Sequence, residues 1–268
     1  MKEAFKNLLS SLGLREFARS YVRKTAIPYY DKKISSDKEL QRTIEEIKEY
    51  GLNKHYAHTE ISEEHVLKHL AIQEGMLINT IRKKLSGVIK DTDRVLDVGD
   101  PDGMFLKLTV GGGISINILE PCVRQVQKRS GMAVQGSLED LPIKSEAFDY
   151  VICCEVLEHL ENPLRGLREL ERVTKKKVFV SIPYVGATQI YPDNYEPDEP
   201  EPEHHVFEFS KEDFDKLLTH TNLKVSYYEI LDIFPSVINP LNLFLLKNAY
   251  WAAFFPKIQF FELVKTKR

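Results

Sequence analysis

The sequence predicts an α/β fold: a mostly parallel sheet with helices on both faces, preceded by a helical extension over residues 1–88. Three observations predict it. An apolar, β-branched run, Val95 to Val98, breaks at Gly99 and Gly103 and then resumes as Met104 to Val110, which reads as strand, tight turn and helix start. A second apolar strand, Ile114 to Leu119, ends in Glu120, and 120 − 97 = 23 residues separate that acid from Asp97 at the tip of the first. That is room for one turn, one helix and one strand, a right-handed unit that sets two parallel strands side by side with both acids at one edge. Two further buried runs, Val151–Cys154 and Val178–Ile182, flank Leu164, Leu167, Leu170 and Val173 at helical spacing.

A chain of 268 residues with 43% hydrophobic and 29% charged residues is globular by composition. Its net charge of −3 gives no support for general nucleic-acid binding, and no nucleic-acid partner is expected. Cys122, Cys153 and Cys154 show no metal-ligand spacing and read as reduced, buried thiols. With no apolar run of the ~20 residues a membrane span needs and no visible signal peptide, the expected compartment is the cytoplasm.

In the extension, Phe5, Leu8, Leu9, Leu12, Phe17, Tyr21 and Val22 form an apolar stripe flanked by lysines and arginines. Such a stripe docks on the protein's own core, or on a membrane surface or partner. A charged helix follows from Ser35 to Tyr50, with Ser36 or Asp37 as its N-cap. Another runs from Ser62 to Leu85 and carries His65 and His69 on one face. With His55 and His58 these histidines invite a metal reading, but no carboxylate completes a site.

Glycine at a strand-to-helix turn permits positive φ and lets a ligand approach the backbone. The helix start adds unpaired N–H groups, and Asp97 offers a carboxylate to a ligand amino group. The stretch Asp97-Val98-Gly99-Asp100-Pro101-Asp102-Gly103 resembles the first motif of class I S-adenosylmethionine (SAM)-dependent methyltransferases, of the methyltransferase type 11 kind, with Pro101 at the middle glycine. Phe148-Asp-Tyr-Val-Ile-Cys-Cys-Glu-Val-Leu-Glu-His-Leu160 resembles the family's fourth-strand motif. Gly136-Ser137-Leu138-Glu139-Asp140-Leu141-Pro142 resembles its adenine segment, with Ser137 in place of the usual acid.

The resemblance implies a Rossmann-like sheet of seven strands and SAM as cofactor. It places Asp97, Gly99, Asp100 and Gly103 against the cofactor, Glu120 with Pro121 at the ribose hydroxyls, Ser137, Leu138 and Glu139 at the adenine, and Cys154 at the methionine end. Glu155 and His159 follow at the substrate side, His159 reading equally as a structural residue. It also implies that an N-terminal helical segment covers the cleft, which brings Tyr56, His58 and Met76 near it.

Asn162 and Pro163 open the helix after the fourth strand, and Lys175–Lys177 form the turn into the fifth. Four prolines and six acids among residues 191–203 exclude regular structure and read as an active-site or solvated loop. His204-His205-Val206-Phe207-Glu208-Phe209-Ser210 leads into a capped helix with Asp213 at its third position. A histidine near neutral pKa suits proton removal from a hydroxyl, and His205 is preferred to His204 as general base or substrate ligand. Glu203, His204, His205 and Glu208 could instead hold a divalent ion, but the expected site contains no metal. Leu223–Leu231 and Ile258–Val264 read as an antiparallel pair. Between them the apolar residues 233–257 read as core, a dimer surface or a membrane-facing patch.

The domains read as 1–88, the cap, and 89–268, the catalytic domain. The expected activity is methyl transfer from SAM to a small-molecule or glycan-like hydroxyl, with a lipid-linked acceptor and peripheral membrane contact suggested by the apolar insertion. The alternatives are a non-catalytic binding protein on the same fold, and a protein or RNA methyltransferase.

Overall fold

The structure, a computed structural model, describes residues 27–51, 64–191, 205–233 and 257–266. The apolar stripe of residues 5–22, His55, Tyr56, His58, Ser62, His204 and nearly all of 191–203 and 233–257 lie outside the described residues.

Helix α1 runs over residues 27–36. Helix α2, Lys38–Tyr50, is capped by Asp37, whose carboxylate accepts the Leu40 N–H at 3.0 Å. Of the two cap candidates the chain uses Asp37, and it starts this helix three residues later than the sequence suggested. Ser35 and Ser36 belong to α1, where their hydroxyls donate to the Lys32 and Lys33 carbonyls. Helix α3 is Glu64–Leu85.

The sheet elements follow as β1 (Val95–Val98), α4 (Met104–Thr109), β2 (Ile114–Asn117), α5 (Glu120–Lys128), β3 (Met132–Gln135) and β4 (Phe148–Cys154). A 3₁₀ turn, Leu157–His159, leads to α6 (Pro163–Val173) and β5 (Thr174–Pro183). Then come β6 (Gln189–Ile190), β7 (Phe207–Glu208), α7 (Lys211–Leu218), β8 (Leu223–Asp232) and β9 (Lys257–Lys265). The seven-stranded order is β3-β2-β1-β4-β5-β9-β8, with β9 antiparallel to both neighbours. This is the expected Rossmann-like architecture with its antiparallel end pair.

One expected turn is absent. Lys175–Lys177 lie in β5, which starts directly after α6. Two of the three charges are paired in place: Lys176 with Asp93 and Asp149, and Lys177 with Glu262. Strand residues point alternately to opposite faces, and the core follows that period. Tyr150, Ile152, Phe179, Ile258 and Phe260 pack with Tyr30, Ile44, Ile47, Ile72, Ile78 and Ile81 from α1–α3. Val151, Cys153, Val178, Val180, Phe261 and Leu263 pack on the other face with Leu167 and Leu170 of α6 and Phe214 of α7, joined by Phe148 because the register of β4 shifts between Phe148 and Tyr150. The N-terminal helices therefore form one wall of the sheet's core. No helix among the described residues is long and apolar enough to cross a membrane.

Candidate active site

All five parallel strands end at one edge, where a ligand meets the loops that leave the strands. At the tip of β1 the backbone turns through Gly99, at φ 103°. A Cβ on Gly99 would meet Val156 Cγ2 at 2.3 Å, so only glycine fits. Carboxylates and an amide hold the turn. Asp100 accepts the N–H groups of Asp102 at 3.2 Å and Phe105 at 2.7 Å, and Asn117 Nδ2 donates to the Gly99 carbonyl at 2.8 Å. Gly103, at φ 84°, starts α4. Asp102 is fully buried and paired with Arg129 at 3.2 Å. Arg129 also donates to the Tyr50 carbonyl at 2.8 Å, and the Tyr50 hydroxyl donates to the Asp102 carbonyl at 2.8 Å. The end of α2 is thereby latched to the glycine turn.

Asp97 is 1% exposed, and its Oδ2 has no hydrogen-bond partner. It alternates with Leu96 and Val98 along β1, so it faces the side of α3, where Glu74 is also buried. Burial first, then the charges of Asp100 and Glu74, push the Asp97 carboxyl well above the usual carboxylate range. After β4 the chain kinks at Glu155, in the left-handed region at φ 54°. Its Oε1 accepts the Ser181 hydroxyl at 2.7 Å. Burial lifts its pKa to about 8, opposed by the Ser181 hydrogen bond and aided by Glu74.

Glu158 and His159 follow on the 3₁₀ turn. Glu158 is fully buried, and burial, with Glu155 and Glu208 nearby, raises its carboxyl strongly. A backbone bond from the Val206 N–H to the Glu158 carbonyl, 2.8 Å, docks the chain around His205 onto this turn. The short β6–β7 ribbon extends that docking. The rings of His159 and His205 lie 4.8 Å apart, edge to face. His205 Nδ1 is 3.4 Å from Glu208 Oε1. Glu155, His159 and His205, three separate sequence expectations, thus stand at the same strand edge, with His159 and His205 in ring contact.

The other expected residues are distributed along that edge. Glu120 begins α5 with Pro121 in its first turn; its side chain is 56% exposed and pairs with Arg124 at 2.5 Å. Ser137 accepts the Glu139 N–H at 3.2 Å within its own turn. Leu138 is buried in the core, and Glu139 accepts the Asn162 N–H at 2.7 Å. The Ser137 hydroxyl thus serves its own turn, and the Glu139 carboxylate the start of α6. Cys154 is half-buried at the end of β4, and burial raises its thiol well above the ordinary range, which leaves no reactive thiolate there. Met76 packs against the N-terminal core, and His69 hydrogen-bonds the Tyr30 hydroxyl at 2.9 Å.

Glu74, Asn117 and the Tyr50–Arg129 latch are contributors that sequence reasoning missed. Asn117 had a readable signal, a polar residue ending an apolar strand. Glu74 and Arg129 had none, since each acts across a long stretch of chain.

Residues 96–182 match the family profile described as a methyltransferase domain. The chain is 31% identical over 130 residues to an uncharacterised methyltransferase of Schizosaccharomyces pombe, which covers 41% of this chain and 47% of that protein. The chain spans less than half the length of the curated relatives it matches. Among solved structures it is similar to magnesium protoporphyrin IX methyltransferase of Synechocystis PCC 6803 with bound SAM, at 15% identity and a TM-score of 0.53, covering 80% of this chain and 89% of that one. It is also similar to a protein solved with the Haloferax volcanii Trm112 methyltransferase activator, at 13% identity and a TM-score of 0.54, covering 81% and 99%. At these identities the solved structures establish the shared fold.

Proposed function

We propose, for a chain whose residues 96–182 are a methyltransferase domain on the class I SAM-dependent fold, that it transfers the SAM methyl group to a hydroxyl of a small-molecule or glycan-like acceptor. The observation that carries the reading is the buried, unpartnered Asp97 carboxylate oxygen beside the left-handed, Cβ-intolerant Gly99. A ligand ammonium would satisfy that oxygen, and the bare glycine backbone lets the ligand come close.

Charge supports the same fit. The charged groups that raise Asp97, Glu155 and Glu158 are other carboxylates, so the strand edge is acid-rich. It complements a cationic sulfonium. Glu120 would hold the ribose diol after releasing Arg124. An exposed pair four residues apart on a helix is worth only about 0.3–0.5 kcal/mol, a small obstacle. The turn at Ser137, Leu138 and Glu139 would border the adenine through backbone groups, and Cys154 the methionine end. Bound there, SAM supplies an electrophilic methyl carbon.

The chain's own residues then have to align the acceptor and take its proton. His205 is the proposed base, held by Glu208 at its ring nitrogen. His159 and Glu155 line the acceptor side, with Glu155 fixed by Ser181.

Calorimetric titration of the purified chain with SAM and S-adenosylhomocysteine, alongside Glu120→Ala, tests this. Loss of two charge-assisted hydrogen bonds predicts at least about a tenfold weaker affinity for the variant. Its stability should stay within about 0.5 kcal/mol of the parent. Folded protein that binds neither ligand would sink the reading and favour a non-catalytic binding protein on this fold.

A further inference from the structure

We propose that Glu158, His159 and His205 bind one divalent cation, against the metal-free site expected from the sequence. One ligand atom from each of the three lies within 4.8 Å of the others. Ligand atoms bonded at ~2.1 Å to one tetrahedral ion stand about 3.4 Å apart. The most widely spaced pair therefore closes by at most about 1.4 Å as the ion enters, a movement within reach of side-chain rotation.

The side chains come from distant parts of the chain. Glu158 and His159 are neighbours on the 3₁₀ turn, whereas His205 arrives on a segment fastened by the Val206–Glu158 backbone bond of 2.8 Å. This fastening acts on the backbone and leaves the Glu158 side chain to another task.

That side chain is the second, independent observation. Glu158 is 0% exposed, and apart from its own backbone N–H its carboxylate meets no hydrogen-bond donor among the described residues. The charged groups near it, Glu155 and Glu208, are also acids. A buried carboxylate left so is costly, and an ion of charge two placed between it and two imidazoles removes that cost. Around His205 there is outer support as well. Its Nδ1 faces Glu208 at 3.4 Å, and Glu208 in turn faces the Tyr191 hydroxyl at 3.4 Å. A carboxylate behind a ligand histidine fixes the tautomer and orients the ring.

Two imidazoles with a carboxylate suit manganese, iron, cobalt or zinc better than calcium. Three protein ligands leave positions for an outside oxygen. If methyl transfer is the activity, that oxygen is the acceptor hydroxyl; the ion, which would occupy His205, would then replace it as the means of deprotonation by acidifying the hydroxyl so that its proton passes to solvent. Only this last use rests on the proposed function; the binding site does not.

The test uses the full chain after chelator treatment. Manganese titration followed by electron paramagnetic resonance counts bound ions, and cobalt absorption bands report nitrogen ligation. One ion per chain is expected, with Glu158→Gln and His205→Ala each weakening it by more than about tenfold, since disturbing even an outer partner of a ligand costs that much. SAM titration of the same samples reports folding. Variants that keep their SAM affinity but lose the ion uphold the site. Parent protein that binds SAM but no ion overturns it and leaves methyl transfer standing. Ion binding that survives both substitutions also overturns it. A parent that binds the ion but not SAM upholds the site while removing methyl transfer.

Discussion

At the scale of single residues, the candidate site is a set of carboxylates kept away from water at a strand edge. Asp97 shows what this costs and what it gives. Its raised pKa means the folded state binds the proton more tightly than the unfolded chain does. Stability from that proton is fully present below the unfolded value and is lost as pH rises through the folded one. Asp97→Asn removes the penalty and should stabilise the chain at neutral pH by about 1 kcal/mol, the scale of an unsatisfied buried group. The same substitution should weaken SAM by about tenfold, because a neutral amide replaces a charged acceptor. Urea melts and calorimetry on one preparation read both effects. A variant that is less stable than the parent and binds SAM equally well would contradict this account. Asp97 was legible because its neighbours alternate apolar along a short strand, and an acid in that pattern has no structural reason to be inside. Glu74 was not legible, because it reaches the strand edge from a helix some twenty residues earlier, and nothing in helical periodicity says which acid will be covered.

At the scale of elements, the N-terminal helices do more than lie on the sheet. The Tyr50–Asp102–Arg129 contacts tie the end of α2 to the glycine turn and to the residue following α5. The Arg129 guanidinium also lies over the Tyr50 ring at 4.2 Å. Arg129→Ala leaves Asp102 charged and buried, and is expected to cost about 3 kcal/mol. Adding Asp102→Asn should recover much of that loss, since the amide oxygen can still accept the Met104 N–H. A double-mutant cycle by urea denaturation measures the coupling. Strictly additive effects would mean that the latch is decorative. Strand and helix positions were largely legible here, because caps such as Asn162 and Ser210 are local chemistry. The exception is the start of β5. Three consecutive lysines look like a turn in sequence, yet Asp93, Asp149 and Glu262 from elsewhere in the chain supply the charges that let Lys176 and Lys177 stay in a strand. The β6–β7 ribbon was equally hidden, since two-residue strands carry no period.

At the scale of the whole molecule, the architecture was legible because three βα units repeat one pattern, and their chirality leaves few ways to assemble. The division at residues 88 and 89 is a different matter. The first wall of the core mixes Tyr30, Ile44 and Ile78 with Tyr150, Phe179 and Phe260, so the helices and the sheet share a single interior. A chain of residues 89–268 alone would expose that apolar face. Strong dye binding and aggregation are expected on expression, and a monomeric, cooperatively melting fragment would instead establish an independent domain. The strand order has a consequence in time. β9 sits between β5 and β8, and β8, which is made first, touches the sheet only through it. While a ribosome is still producing residues 234–256, the nascent chain holds a strand with nowhere to pair, next to the uncovered edge of β5. Such an edge invites chaperones or a neighbouring polysome's product. Once residues 257–265 emerge, β9 zips into a waiting slot, and slow codons just upstream of residue 257 would lengthen the vulnerable interval.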